Sequence, residues 1–238
     1  VSEISNRATD SFDNSAKSGY RARHLEVIRE HAPELWREGN EGLRGAWLEL
    51  MGATGWKTLE MLMKKGALEA ESFVGVDLDV KRIDDYKARY PAARWLAGDL
   101  LDLVQRPELE DVSVVHFDGY EAVGSSRLQH VGEQLVLLLR RAIEDFGAGV
   151  LIWNADLDAC RLHRQPAATA LRAHAVKLGQ ILHGALEARR EISAETLLGL
   201  GAERAVTDPS FVGSVGVFEV YRGRPGGHRM ACLRAVLR

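Results

Sequence analysis

Ala46-Trp47-Leu48-Glu49-Leu50-Met51-Gly52-Ala53-Thr54-Gly55 is the stretch on which the fold turns. A short apolar run, too brief for a globular helix, passes directly into a turn of small residues. Beyond it, Lys57 to Lys65 carries Leu59, Leu62 and Met63 at helical spacing. An apolar run bounded by glycine is the pattern of a buried strand, and the change of period marks a strand–turn–helix unit. A turn built from small residues lets a ligand approach the backbone closely. The free amides at the start of the following helix favour a carboxylate or phosphate.

The same unit repeats further along the chain. Ser72 to Asp77 reads as a second buried strand, Val80 to Tyr90 as a helix stopped by Pro91, and Ala93 to Leu96 as a third strand. Val112 to Phe117 forms a fourth strand, followed by a long helix from about Arg127 to Phe146 and a fifth strand from Gly149 to Trp153. Strands alternating with helices imply an open, mostly parallel Rossmann-like α/β sheet covered on both faces, with right-handed crossovers. The rhythm breaks near the end. Two helical stretches, Ala167 to Arg190 and Ser193 to Leu200, precede two β-rich runs, Val212 to Tyr221 and His228 to Leu237, joined by a turn at Arg222 to Gly227. This predicts a C-terminal antiparallel β-hairpin.

Before the deciding stretch, residues 1–19 are polar and read as a flexible lead-in. His24, Leu25, Val27, Ile28 and Leu35 suggest a helix from about Tyr20 to Arg37, interrupted near Pro33. The expected organisation is an N-terminal extension over residues 1–45, suited to a lid role, and one α/β domain over residues 46–238.

An apolar share of 46% over 238 residues provides for a sizeable core, and the net charge of −3 gives no general attraction to nucleic acid. The basic pairs Arg21/Arg23 and Arg222/Arg224 keep a nucleic-acid partner open. Cys160 and Cys232 stand far apart without metal-ligand spacing, which fits a reducing cytoplasm. No apolar run approaches the roughly 18 residues of a membrane span, so no membrane association is expected. His163, His174 and His183 lack the i, i+3 or i, i+4 spacing of a helical metal site, and no metal is expected. The Ala167–Arg190 stretch offers a packing or self-association face, compatible with a homodimer.

Open α/β sheets bind ligands beyond the carboxyl ends of their strands, and four predicted strands carry an acid at or just past that end: Glu49, Asp77, Asp99 and Asp118. A carboxylate such as Asp77 can accept two hydrogen bonds from a ribose diol. Asp79, two residues on, has the place of a helix cap. His116 and Asp118 alternate onto one side of their strand, and either suits proton transfer. A lone His near a core is more often structural, and that reading is favoured for His116. Tyr120 offers a flat ring for stacking on a substrate or for packing on the core.

The series resembles the class I (Rossmann-like) S-adenosylmethionine-dependent methyltransferases. Glu49 stands at the acid of their first motif, and Gly52, Ala53 and Gly55 in its loop. Met51 and Ala53 replace the usual first and second glycines, so the motif is degenerate. The resemblance implies S-adenosyl-L-methionine as cofactor, with Asp77 on its ribose and Asp99 and Leu100 at its adenine. It places Asp118, with His116 and Tyr120, beside the methyl group and an acceptor the sequence does not specify, nucleic acid or small molecule. The proline-containing motif of amino-methylating nucleic-acid enzymes and the Pro-Cys of cytosine-C5 enzymes are absent. A non-catalytic binding protein on the same fold is the alternative that Met51 and Ala53 motivate. A nucleotide-dependent oxidoreductase fits less well, because Gly-x-Gly-x-x-Gly is missing after the first strand.

Overall fold

The computed structural model describes residues 15–51, 55–118, 126–156, 205–207, 215–222 and 229–238. Among the described residues, eight strands form one sheet in the order β3-β2-β1-β4-β5-β8-β7-β6. These are β1 (Ala46–Leu50), β2 (Phe73–Asp77), β3 (Arg94–Ala97), β4 (Val112–Asp118), β5 (Gly149–Asp156), β6 (Ala205–Thr207), β7 (Val215–Arg222) and β8 (Arg229–Leu237). The first five pair in parallel, β8 runs antiparallel to β5, and β7 and β8 form the antiparallel terminal pair. The order reverses direction at β1, which lies between β2 and β4. The expected fold class is therefore the observed one.

Parallel register sets the two faces. Trp47 pairs with Phe73 and Val114, Gly75 with Trp95, and Val114 with Val150. These side chains share a face and join one apolar cluster with α1 (Ser15–His31), α2 (Trp56–Lys64) and α3 (Val80–Arg89) through Leu25, Ile28, Leu59, Leu62, Ile83 and Tyr86. The opposite face presents Leu48, Val115 and Leu151, all sealed from solvent. There α5 (Ser126–Phe146) packs on β4 and β5, with Leu139 directly over Gly149. Burying one such side chain stabilises the fold by about 1.5–3 kcal/mol.

Local chemistry sets the element ends. Asp79 caps α3 by accepting from the amides of Lys81 and Arg82, as its place predicted, and the helix ends at Arg89, short of Pro91. Pro33 opens a separate 3-10 turn, Pro33–Leu35, after α1 ends at His31. The first helix begins earlier than expected, so residues 15–19 are helical rather than lead-in. Leu25, Ile28, Ala32, Leu35, Trp36 and Leu43 belong to the same core cluster as Trp47, so this part of the N-terminal extension is packed into the body of the fold. Two short elements have no counterpart in the sequence reading: β6 and α4 (Leu100–Leu103). The helical stretches expected at 167–190 and 193–200 and the turn residues 223–228 lie outside the described residues.

Candidate functional site

The carboxyl ends of β1, β2 and β3 lie on one side of the switch point, and those of β4 and β5 on the other. A crevice opens at such a reversal because the flanking helices leave in opposite directions. The strand-end acids fall here, but they differ in what their carboxylates touch.

Asp77 is the last residue of β2 and is buried. Its Oδ1 accepts from the Asp79 amide at 2.9 Å. Its Oδ2 is buried without a hydrogen bond, and the Arg82 guanidinium stands 3.6 Å away. Burial pushes the Asp77 carboxyl above the usual carboxylate range, opposed by the Asp79 amide and Arg82. Oδ2 is thus ion-paired but beyond hydrogen-bond length, and a ligand hydroxyl in that place would supply the hydrogen bond it lacks. Leu78, the next residue in the chain, is 70% exposed and offers apolar surface; the sequence reading did not single it out.

Glu49 lies inside β1 and points into the protein. Its Oε1 accepts from Thr58 Oγ1 at 3.0 Å, and its Oε2 from Trp47 Nε1 at 2.9 Å. The same Oε2 is 2.7 Å from His116 Nδ1. His116 Nε2 in turn meets Asn154 Nδ2 at 2.8 Å. All five side chains are buried. The structure thus places Glu49 in an internal network rather than at the crevice mouth, because strand alternation puts it on the face covered by α1 and α2. His116 is in the same network with both ring nitrogens engaged. An ionised carboxylate only accepts, so Nδ1 is the ring nitrogen placed to donate to Glu49.

A second buried pair flanks the first. His24 on α1 lies edge-on to His116, with ring centroids 5.0 Å apart, and its Nδ1 accepts from Arg234 Nε at 2.8 Å. Burial, followed by Arg234, His116 and Arg21, holds His24 well below the usual histidine range. The sequence reading placed His24 on an apolar helix stripe; its polar partners are distant in the chain and gave no local signal.

The Met51 side chain turns into the core. Its Sδ lies 2.7 Å from where a Cβ on Gly55 would stand, and its Cγ 3.1 Å from the corresponding point on Gly75. Gly55 therefore makes room for Met51. Gly52, Ala53 and Thr54 lie outside the described residues, as does Tyr120. Asp99 follows Gly98 (φ 143°), is half-buried, and accepts the Asp102 amide through its carbonyl at 3.0 Å. Leu100, the first residue of α4, is buried. Asp118 ends β4 in register with Asn154. Cys232 is buried on β8, whereas Cys160 and the three spaced histidines lie outside the described residues. Among the described residues, no group of three His, Cys, Asp or Glu side chains could hold a metal ion, and no helix is long and apolar enough to cross a membrane.

No family model and no curated protein matches the sequence. Among solved structures, the chain is similar to TrmN from Thermus thermophilus at 14% identity and a TM-score of 0.41, covering 90% of this chain and 48% of that one. It is similar to the plantazolicin methyltransferase BamL, solved with a triazolic desmethylPZN analog and SAH, at 11% identity and a TM-score of 0.48, covering 93% and 90%. It is also similar to a TehB-like SAM-dependent methyltransferase from Corynebacterium glutamicum, at 16% identity and a TM-score of 0.35, covering 93% and 98%. The chain thus spans about half the length of TrmN. At these identities the likeness is one of fold. A parallel sheet that reverses at β1 and ends in antiparallel strands, with helices on both faces, is an open Rossmann-like α/β fold.

Proposed function

We propose that the chain is an S-adenosylmethionine-dependent methyltransferase. The observation that carries this reading is Asp77: a buried carboxylate at the end of β2, beside the switch point, whose Oδ2 has no hydrogen bond. That is the donor-seeking group a ribose diol would satisfy. Asp99 and the exposed Leu78 lie on the same side of the reversal and would flank the base. The inward turn of Met51 favours this reading over a non-catalytic one, because the side chain that replaces the motif's glycine packs in the core. The antiparallel β8 next to β5 departs from the all-parallel dinucleotide-binding plan and disfavours an oxidoreductase.

Bound S-adenosylmethionine would supply an electrophilic methyl group. The protein's share is to bind the nucleoside through Asp77 and Asp99, to orient the acceptor's nucleophile, and to exclude water. Asp118, at the end of β4, is the candidate for orienting the acceptor or taking its proton. The acceptor is a small molecule or a nucleic acid, with the net charge of −3 favouring the former.

Calorimetric titration with S-adenosylmethionine and S-adenosylhomocysteine tests the reading. Binding that weakens at least tenfold in Asp77→Ala, with the fold intact by circular dichroism, is the expected result. No binding at millimolar ligand would overturn it.

A further inference from the structure

Asp77 brings a buried carboxylate to the end of β2, and its Oδ1 is fixed by the Asp79 amide at 2.9 Å. From β3 comes Ala97, in register with it, and from β1 Met51, whose amide donates to the Val76 carbonyl; neither side chain titrates. Among the described residues, the titratable and charged groups that act on Asp77 come from the α3 side: Arg82, Asp79 and Tyr86. Burial, followed by the Asp77 charge, pushes the Tyr86 hydroxyl up to about 12, so that group stays neutral. The Asp79 carboxylate repels Asp77, and Arg82 attracts it.

Arg82 reaches both acids. Its Nη1 stands 3.6 Å from Asp77 Oδ2, and its Nε 3.5 Å from Asp79 Oδ2. Asp79 Oδ1 is meanwhile taken up by the Lys81 and Arg82 amides, so the cap of α3 also sets where the guanidinium lies. Two features separate this contact from an ordinary surface ion pair. The Asp77 side chain is only 7% exposed, so solvent ions screen the attraction weakly. At 3.6 Å the guanidinium supplies charge without making a hydrogen bond, which leaves Oδ2 able to accept from a hydroxyl.

We propose that Arg82 is a positioning residue for the nucleoside, acting through Asp77 as the counter-charge that keeps this buried carboxylate an acceptor for the ribose hydroxyls; the inference rests on the methyltransferase reading. An ionised carboxylate only accepts, which matches a diol that has two hydrogens to donate. A protonated one carries a hydrogen of its own and matches the diol less well. Without Arg82, burial and the Asp79 charge are opposed by the Asp79 amide alone, and Asp77 keeps its proton to higher pH. Binding then weakens on the acid side, where the parent protein still has Asp77 ionised.

The test uses the full chain labelled with 13C at the aspartate carboxyls, with Asp77 assigned through Asp77→Asn. The Asp77 midpoint is titrated without ligand, and S-adenosylhomocysteine affinity is measured by calorimetry at about pH 5.5 and about pH 8. Arg82→Met is expected to raise the midpoint, to weaken binding at least about fivefold at the lower pH and less than about twofold at the higher. Arg82→Lys, which keeps the charge, should restore both. In an Asp77→Asn background, Arg82→Met should add nothing, because the residue acts through that carboxylate. If Arg82→Met does not fold, Arg82→Gln replaces it with the same expectation. An unmoved midpoint, equal weakening at both pH values, or a further loss in the Asp77→Asn background overturns the role of Arg82 while leaving the methyltransferase reading in place. Absence of any binding by the parent protein overturns that reading, and the role of Arg82 with it.

Discussion

Glu49 Oε2 and His116 Nδ1 stand 2.7 Å apart across β1 and β4, each residue only 3% exposed. The pair joins the two strands between which the sheet reverses. It also divides the strand-end acids by role, since Glu49 is internally satisfied and Asp77 is not.

Removing the carboxylate should therefore be costly. Glu49→Ala leaves the Trp47, Thr58 and His116 donors buried without their acceptor and is expected to destabilise the fold by about 3–5 kcal/mol. Glu49→Gln, which keeps an acceptor, should cost less. Urea unfolding of both variants measures this; a Glu49→Ala loss below about 1 kcal/mol would contradict the network.

His24 should make the fold acid-sensitive. Its folded pKa lies below the unfolded value near 6.5, so between the two the unfolded chain binds the extra proton. Its contribution to stability is fully present above about pH 6.5 and is lost as pH falls towards the lowered folded value. In His24→Gln, which keeps an acceptor for Arg234 but does not titrate, the fall in melting temperature between pH 7 and pH 5 should be smaller than in the parent protein.

Asp77 should show the opposite sign. Its folded pKa is raised, so stability is greatest while the carboxyl is protonated and falls as pH rises from the ordinary carboxylate value through the raised one. At neutral pH, Asp77→Asn is expected to be at least as stable as the parent while binding S-adenosylhomocysteine more weakly. Such a split between thermal melts and calorimetry marks a group kept for binding rather than folding.

Gly75 gives a purely steric prediction. A Cβ there would lie 2.4 Å from the Trp95 ring, with Met51 Cγ at 3.1 Å. Gly75→Ala should cost about 1–3 kcal/mol through overpacking, and Trp95→Leu in the same chain should recover part of that loss. Additive effects in a double-mutant cycle would show that the two sites do not meet.

Most of the architecture was legible because it rests on local periodicity. Short apolar runs, glycine turns and the cap at Asp79 fixed the strands and helices from Ala46 to Asp118 within a few residues. The short elements β6 and α4 gave too few residues for any period to register. In the candidate site, Asp77 was legible by position, at the end of its strand. The internal partners of Glu49 were legible only through alternation, which sets it on the same face as Trp47, two residues earlier. That parity was the signal available, and Asn154 and Thr58 carried none beyond position.

The sequence by itself determined the class of fold and which residues end its strands, because both depend on neighbours a few positions apart. Only the tertiary structure decided which of those residues face inward together. Glu49 and His116 are 67 positions apart, His116 and Asn154 38, and His24 and Arg234 210. No local pattern encodes such pairings. They arise because the sheet sets β1, β4 and β5 side by side in parallel, with the antiparallel β8 next to them, under α1 in a dry interior where buried polar groups meet one another.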